Sequence, residues 1–125
     1  MFFGSTTKSI GDKGEKIAAK LLKKQGYKIV AKNFRCAHGE IDLIAENKEY
    51  IVFAEVKARK VSEDNFKNYG LPREAVTKKK QEHIIYTANI YLNKHPTDKS
   101  KRFDVIEVYL CKKPYAICIP DAFTL

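Results

Sequence analysis

The chain has 125 residues, a length typical of one domain, and we expect a single domain over residues 1–125. Hydrophobic residues make up 44% of the sequence and charged residues 31%, which excludes a disordered chain of low hydrophobicity. Twenty-four Lys and Arg residues against 15 Asp and Glu give a net charge of +9, which favours a polyanionic partner such as nucleic acid. A well-solvated surface is the alternative explanation for that charge.

Membrane insertion and secretion are not expected. No apolar stretch approaches the roughly 20 residues that span a bilayer, and the longest candidate, Tyr50–Val56, is interrupted by Glu55. The N-terminal residues lack the basic and apolar regions of a secretory signal, so we expect a cytoplasmic location and no membrane partner. The three cysteines are too few and odd in number for a disulfide framework, so reduced thiols are expected.

A helix followed by three strands is predicted for the first half of the chain. Apolar residues recur at helical spacing over Ile10–Gln25, and Gly26 follows as a stop signal. The lysines of this helix fall on the opposite stripe, whereas Glu15 lies at the margin of the apolar arc and faces the sheet. Alternating β-branched and aromatic residues then predict a meander of three strands: Tyr27–Phe34, Gly39–Glu46 and Tyr50–Lys57.

The second half is predicted to contain one helix and two strands. The polar segment between Arg59 and Leu71 shows no period and is predicted to be a mobile loop. Pro72 then begins a helix that runs to about Asn93. Two further strands complete the predicted order αβββαββ: Arg102–Leu110 and Tyr115–Ile119.

The third strand carries the residues of greatest chemical interest. Tyr50–Lys57 is apolar on both faces, which is expected of a central strand, where buried charges need partners. Glu55 and Lys57 share one face. If residues 47–50 form a four-residue hairpin loop, Asp42 lies directly opposite Glu55, with Cβ atoms about 4.5–5.5 Å apart. A two-residue loop would shift the pairing but keep the same face, and only an odd-length loop or a bulge would separate the two carboxylates.

Two carboxylates at that distance favour a bound cation. They repel each other unless a cation lies between them, and hard oxygen ligands of this kind suit Mg²⁺ or Mn²⁺. Lys57 would then orient or deprotonate a water for phosphodiester hydrolysis, which a metal assists. On spacing alone, a salt bridge among Asp42, Glu55 and Lys57 fits equally well.

Two segments of the sequence carry a resemblance to known nucleases: GEIDLIA at residues 39–45 and VFAEVKAR at residues 52–59. They resemble the signature of the PD-(D/E)XK nuclease superfamily, with Ile41 in place of its proline. More narrowly, the chain resembles the bacterial YraN-like family, which is related to archaeal Holliday-junction resolvases. Further matches extend over nearly the whole chain: Gly14-Glu15, Gly26-Tyr27, Asn33-x-Arg35, Tyr69 to Val76, Lys80-Gln81, Arg102 to Val105 and Ala122-Phe123.

The resemblance implies an α/β, restriction-endonuclease-like fold, with a central mixed sheet flanked by helices. It implies that Asp42 and Glu55 bind Mg²⁺ or Mn²⁺, that Lys57 assists the attacking water, and that Glu15 is a further acidic residue of the catalytic site. The implied function is a metal-dependent DNA endonuclease, acting on branched or damaged DNA in recombination or repair, with flap or single-stranded DNA as further forms of the partner.

Cationic and polar residues outside this centre are candidate contacts to nucleic acid: Arg35, Arg59, Lys78, Lys80 and Gln81. For the lysine run at the start of the second helix, a solvated face is the alternative. A non-catalytic nucleic-acid-binding adaptor with the nuclease fold is the alternative function, and an RNA-binding protein is a third one that charge alone favours. A symmetric homodimer would suit a two-strand cut.

Overall fold

The computed structural model describes residues 7–61 and 76–124. Its elements follow the predicted order: α1 (Thr7–Lys24), β1 (Lys28–Cys36), β2 (Gly39–Glu46), β3 (Tyr50–Lys60), α2 (Lys78–Lys94), β4 (Ser100–Leu110) and β5 (Tyr115–Phe123). The predicted loop, from residue 62 onward, and the Tyr69 to Val76 motif, except for Val76 itself, lie outside the described residues. Neither α1 nor α2 is long and apolar enough to cross a bilayer.

The five strands form one mixed sheet in the order β1-β2-β3-β4-β5. Neighbouring strands are antiparallel except β3 and β4, which pair in parallel from Tyr50–Ser100 to Lys60–Leu110. Parallel strands need a crossover, and here the connection contains α2. This confirms the predicted α/β class and the central position of β3, and it is compatible with a restriction-endonuclease-like fold.

Each face of the sheet is covered by one helix. On the α1 side, helix residues pack against alternate positions of the inner strands, and the cluster includes Ala18, Ala19, Leu22, Leu43, Ala45, Val52, Ala54, Ile106 and Val108. On the α2 side, the cluster includes Ile41, Ile44, Ile51, Phe53, Ile84, Ala88, Tyr91, Phe103 and Val105. Because β3 is buried on both faces, a charged side chain on it needs a partner or an opening to solvent.

Two predicted boundaries were wrong. The second helix begins at Lys78 and not at Pro72, because Thr77 is extended and its hydroxyl accepts a hydrogen bond from the Lys80 N–H at 3.1 Å, which caps the helix. The last strand does not end before Pro120 but continues to Phe123. It is an edge strand with a register irregularity, and such positions tolerate a proline.

A close approach of backbone to side chain fixes α1 on the far end of β3. A Cβ built on Gly14 would lie 2.4 Å from Cβ of Ala58, so only glycine allows this contact. The next residue of the helix is Glu15, and the close approach therefore determines where that carboxylate lies.

We expect Gly14→Ala to destabilise the protein, because Ala58 is held in a paired strand and has no flexible side chain to move away. The matched control is Gly11→Ala in the same helix, where a Cβ meets nothing within 4 Å. Urea unfolding should show that Gly14→Ala is about 1–3 kcal/mol less stable than Gly11→Ala, which gains helix propensity. Equal stabilities would contradict the described packing of α1.

Candidate active site

The pairing between β2 and β3 ends just before the two predicted carboxylates. The ladder runs from Glu46–Ile51 to Leu43–Ala54, which is the register expected if residues 47–50 connect the paired positions. Beyond Leu43 and Ala54, the recorded pairs of β2 are with β1 and those of β3 are with β4. We call this point the β2–β3 fork. Extending the register by one pair places Asp42 opposite Glu55, as the hairpin geometry predicts.

Asp42 is turned into the fork by a break in the alternation of β2. Ile44 belongs to the α2-side cluster and Leu43 to the α1-side cluster, but Ile41 is again on the α2 side. Between them, Asp42 is half-buried, and its Oδ2 accepts a hydrogen bond of 2.8 Å from the backbone N–H of Val56. The carboxylate thus spans the gap between the two strands.

The two carboxyl groups interact directly. Glu55 is buried, with 5% of its surface exposed. Burial, a hydrogen bond with Glu55 and the negative charge of Glu55 together raise the pKa of Asp42 to about 8, although the Val56 N–H acts in the opposite direction. In the absence of a cation, the pair therefore retains a proton near neutral pH.

Two lysines balance the charge of Glu55. Its Oε2 lies 3.7 Å from Nζ of Lys57, two residues further along β3, and 3.2 Å from Nζ of Lys80, in the first turn of α2. Both ammonium groups belong to partly exposed side chains. Among the described residues, none places a cation within salt-bridge distance of Asp42. The positive charge of the site is thus concentrated on the Glu55 side.

Glu15 lies beside the carboxylate pair. Burial raises its pKa, while a hydrogen bond from the Asn33 side chain lowers it. Its charge also contributes to the raised pKa of Asp42. Glu15 and Lys57 both line an open cleft of about 450 Å³ between α1 and the end of β3. Over residues 7–61 and 76–124, no group of three acidic, His or Cys residues is close enough to hold a metal together, so Glu15 stays outside the pair.

Asn33 lies at the site, although the sequence indicates it only as part of the motif Asn33-x-Arg35. It lies in β1, between the β1–β2 pairs Lys32–Leu43 and Phe34–Ile41, so it is opposite Asp42 of the neighbouring strand. Its backbone is left-handed, with φ of 50°, a conformation that Asn tolerates better than most residues. An Asn inside an apolar strand pattern was the available signal for this position.

Glu107 is a second residue whose location the sequence did not reveal. Its side chain is fully buried, and its Oε1 forms an ion pair with Nε of Arg59. Burial raises the pKa of Glu107, while the charges of Arg59 and Lys57 lower it. The parallel register sets Glu107 directly beside Lys57. Arg59, predicted to contact nucleic acid, is therefore held by a buried carboxylate.

Of the other four predicted nucleic-acid contacts, two have exposed side chains and two are held by contacts within the protein. Lys78 and Arg35 are exposed, although Arg35 also pairs with Glu40 at 3.4 Å. Lys80 joins the carboxylate pair. Gln81 donates from Nε2 to the backbone carbonyl of Val76 at 3.1 Å, so it holds the segment that enters α2.

The carboxylate pair fits a divalent cation of the predicted type. Mg²⁺ is commonly bound by one or two carboxylates, with water and substrate phosphate filling the remaining positions. Asp42 and Glu55 supply two such groups at the edge of an opening in the sheet, and Asp42 has no cationic partner among the described residues. Oxygen ligands of this kind also suit Mn²⁺.

Comparison with known proteins identifies the family. Residues 14–108 match the description "Uncharacterised protein family UPF0102". The chain belongs to this family. A UPF0102 protein of Caldanaerobacter subterraneus is 51% identical over 104 residues, which cover 82% of this chain and 81% of the relative. A UPF0102 protein of Hahella chejuensis is 47% identical over 116 residues, 92% of this chain and 90% of the relative.

A third relative supports the same assignment. The UPF0102 protein of Clostridium acetobutylicum is 50% identical over 104 residues, which cover 82% of this chain and 81% of that protein. The predicted YraN-like membership is confirmed, because that family corresponds to UPF0102. The range shared with UPF0102 contains Glu15, Asp42, Glu55 and Lys57.

The stability of the metal-free protein should depend on the ionisation of Asp42. Its pKa rises from 3.8 to about 8 on folding, so its stabilising contribution is complete below about pH 4 and is lost as the pH rises through about 8. Asp42→Asn cannot ionise. We expect urea unfolding in EDTA to show a steeper loss of stability above about pH 5 for wild type than for Asp42→Asn. Parallel pH profiles would contradict the described pair.

Proposed function

We propose that this UPF0102 chain is a metal-dependent DNA endonuclease of the PD-(D/E)XK superfamily. The observation that carries the proposal is the meeting of Asp42 and Glu55 at the β2–β3 fork, with the ammonium groups of Lys57 and Lys80 beside Glu55. Paired carboxylates next to a lysine at an opening of the sheet are the groups that phosphodiester hydrolysis requires.

Each residue of the site has a separate role in this proposal. Asp42 and Glu55 would hold Mg²⁺ or Mn²⁺, which when bound lowers the pKa of a water and offsets negative charge on phosphate. Lys57 orients the attacking water, because it lies two residues beyond Glu55 on the same face of β3. Glu15 and Lys57 line one cleft, and in this proposal the attacking water enters the site from that cleft.

The surface charge supports DNA as the substrate. The net charge is +9, and exposed lysines occupy the outer face of α1 and the start of α2. Lysines at such positions bind phosphates without reading the base sequence, which predicts salt-sensitive binding. Lys80 connects this surface to the site, because its side chain is partly exposed and contacts Glu55. A DNA endonuclease of this kind would act in the cytoplasm.

Cleavage of end-labelled DNA tests the proposal. Single-stranded, duplex, flap and four-way-junction substrates are incubated with Mg²⁺ or Mn²⁺, and with EDTA. We expect metal-dependent cutting that Asp42→Asn and Glu55→Gln each reduce by about 100-fold or more, because each substitution removes one oxygen ligand. The matched control is Glu46→Gln. Glu46 is on β2, like Asp42, but it lies at the end of the strand away from the fork and forms an ion pair with Lys99. Cutting that survives Asp42→Asn would contradict the proposed role of the pair.

A non-catalytic nucleic-acid-binding adaptor is the second candidate, and one observation favours it. Lys57 and Lys80 already balance the charge of Glu55 without a metal, as in a structural salt bridge. If the protein is such an adaptor, the Asp42→Asn variant binds DNA as tightly as the wild-type protein does, and neither protein cuts any of the four substrates. Binding that becomes tighter with Mn²⁺ only when Asp42 is present would argue against the adaptor.

A further inference from the structure

An exposed pair of aromatic rings lies at the end of the β1–β2 hairpin. Among the described residues, Tyr86 and Ile117 are the large hydrophobic side chains with the highest exposure, 48% and 44%. The ring of Tyr86, on α2, contacts the ring of His38, in the β1–β2 turn, with centroids 5.8 Å apart and planes at 63°. Nothing in the catalytic proposal uses this pair.

The pair is held in place by close packing beneath it. A Cβ on Gly39 would lie 2.4 Å from the Thr87 hydroxyl and 3.0 Å from the His83 carbonyl, so the hairpin contacts α2 directly. The Sγ of Cys36 and the Oγ1 of Thr87 are 3.3 Å apart, within hydrogen-bond distance. The backbone positions from which the two rings extend are therefore held together before any ligand binds, which lowers the entropic cost of binding.

Two exposed lysines and one exposed glutamate give the face of α2 that carries Tyr86 a small net positive charge. Lys79, His83 and Tyr86 are spaced by four and three residues, so they follow one exposed face of α2. Lys78 is exposed at the start of the helix, while Glu82, one turn before Tyr86, is the acidic residue of this face. Exposed aromatic rings on a basic surface suit the bases and phosphates of a single nucleic-acid strand.

We propose that His38 and Tyr86 form a stacking platform for an unpaired base of the nucleic acid bound at the β2–β3 fork. The inference rests on the proposed function for the identity of the ligand, and it narrows that ligand to DNA with a single-stranded or unpaired segment. Bases inside a continuous duplex present no free face to a ring, whereas unpaired bases stack on aromatic side chains with little dependence on sequence.

The position of the platform along α2 sets the distance to the site. Lys80 contacts Glu55, and Tyr86 follows six residues later, about 9 Å along the helix axis. Tyr86 also points about a third of a turn away from Lys80 around the helix, so this rise is a lower limit on the distance to the fork. Stacked nucleotides are spaced by about 3.4 Å, so the base on the platform lies at least about three nucleotides from the phosphate at the fork. This spacing predicts that the unpaired segment adjoins the scissile phosphate.

Fluorescence anisotropy of a labelled single strand and of a blunt duplex, both in EDTA, tests the platform separately from catalysis. Tyr86→Ala should weaken binding of the single strand by about 5- to 100-fold and leave duplex binding unchanged. Tyr86→Phe keeps a ring and should bind the single strand as wild type does. The matched control is Ile117→Ala, which removes the other exposed hydrophobic side chain, on β5.

The outcomes separate this inference from the proposed function. The platform would be overturned if Tyr86→Ala binds the single strand as tightly as wild type does, or if the substitution weakens binding of the single strand and of the duplex equally. It would also be overturned if the wild-type protein binds neither ligand. A protein that shows the Tyr86 dependence but cuts no DNA with metal retains the platform and loses the nuclease. A protein that cuts DNA without the Tyr86 dependence retains the nuclease and loses the platform.

Discussion

The separation of β2 from β3 beyond Leu43 and Ala54 is the constraint on which the site depends. In a continued ladder, the backbone of β2 would satisfy the N–H groups of β3 at this position. Because the strands diverge, the N–H of Val56 needs another acceptor, and the carboxylate of Asp42 supplies it. The same divergence leaves Asp42 and Glu55 facing each other across the gap between the two strands, with Lys80 of α2 against Glu55.

The fold contains an internal comparison for this pair. Asp104 is fully buried, but two hydrogen bonds from Arg102 and one from the N–H of Asp121 satisfy it, and we interpret it as structural. Asp42 is bound by a single backbone N–H and by another acid. A half-buried carboxyl group that has one backbone donor and lies against another acid is unusual for a structural role, and a cation would relieve this arrangement.

The sequence predicted the centre of the site because its geometry is local. Asp42 and Glu55 lie on adjacent strands joined by a short loop, so strand period and loop length determine their pairing. Glu107 is brought to Lys57 by a parallel register across a long crossover, which no local pattern specifies.

The start of α2 was placed too early because Pro72 is a plausible first helical residue, whereas the capping hydroxyl of Thr77 determines the start. The edge-to-face contact of His38 with Tyr86 depends on tertiary contacts through Gly39.

In the proposed nuclease, Asp42 and Glu55 together bind one divalent cation at the fork. Crystals grown with Mn²⁺ and measured near the manganese absorption edge test it most directly, because anomalous scattering locates the ion independently of any activity. We expect one anomalous peak, from an ion bound to oxygen atoms of both carboxylates at about 2.0–2.2 Å. A map without a peak at the fork, with Lys80 still bound to Glu55, would contradict it.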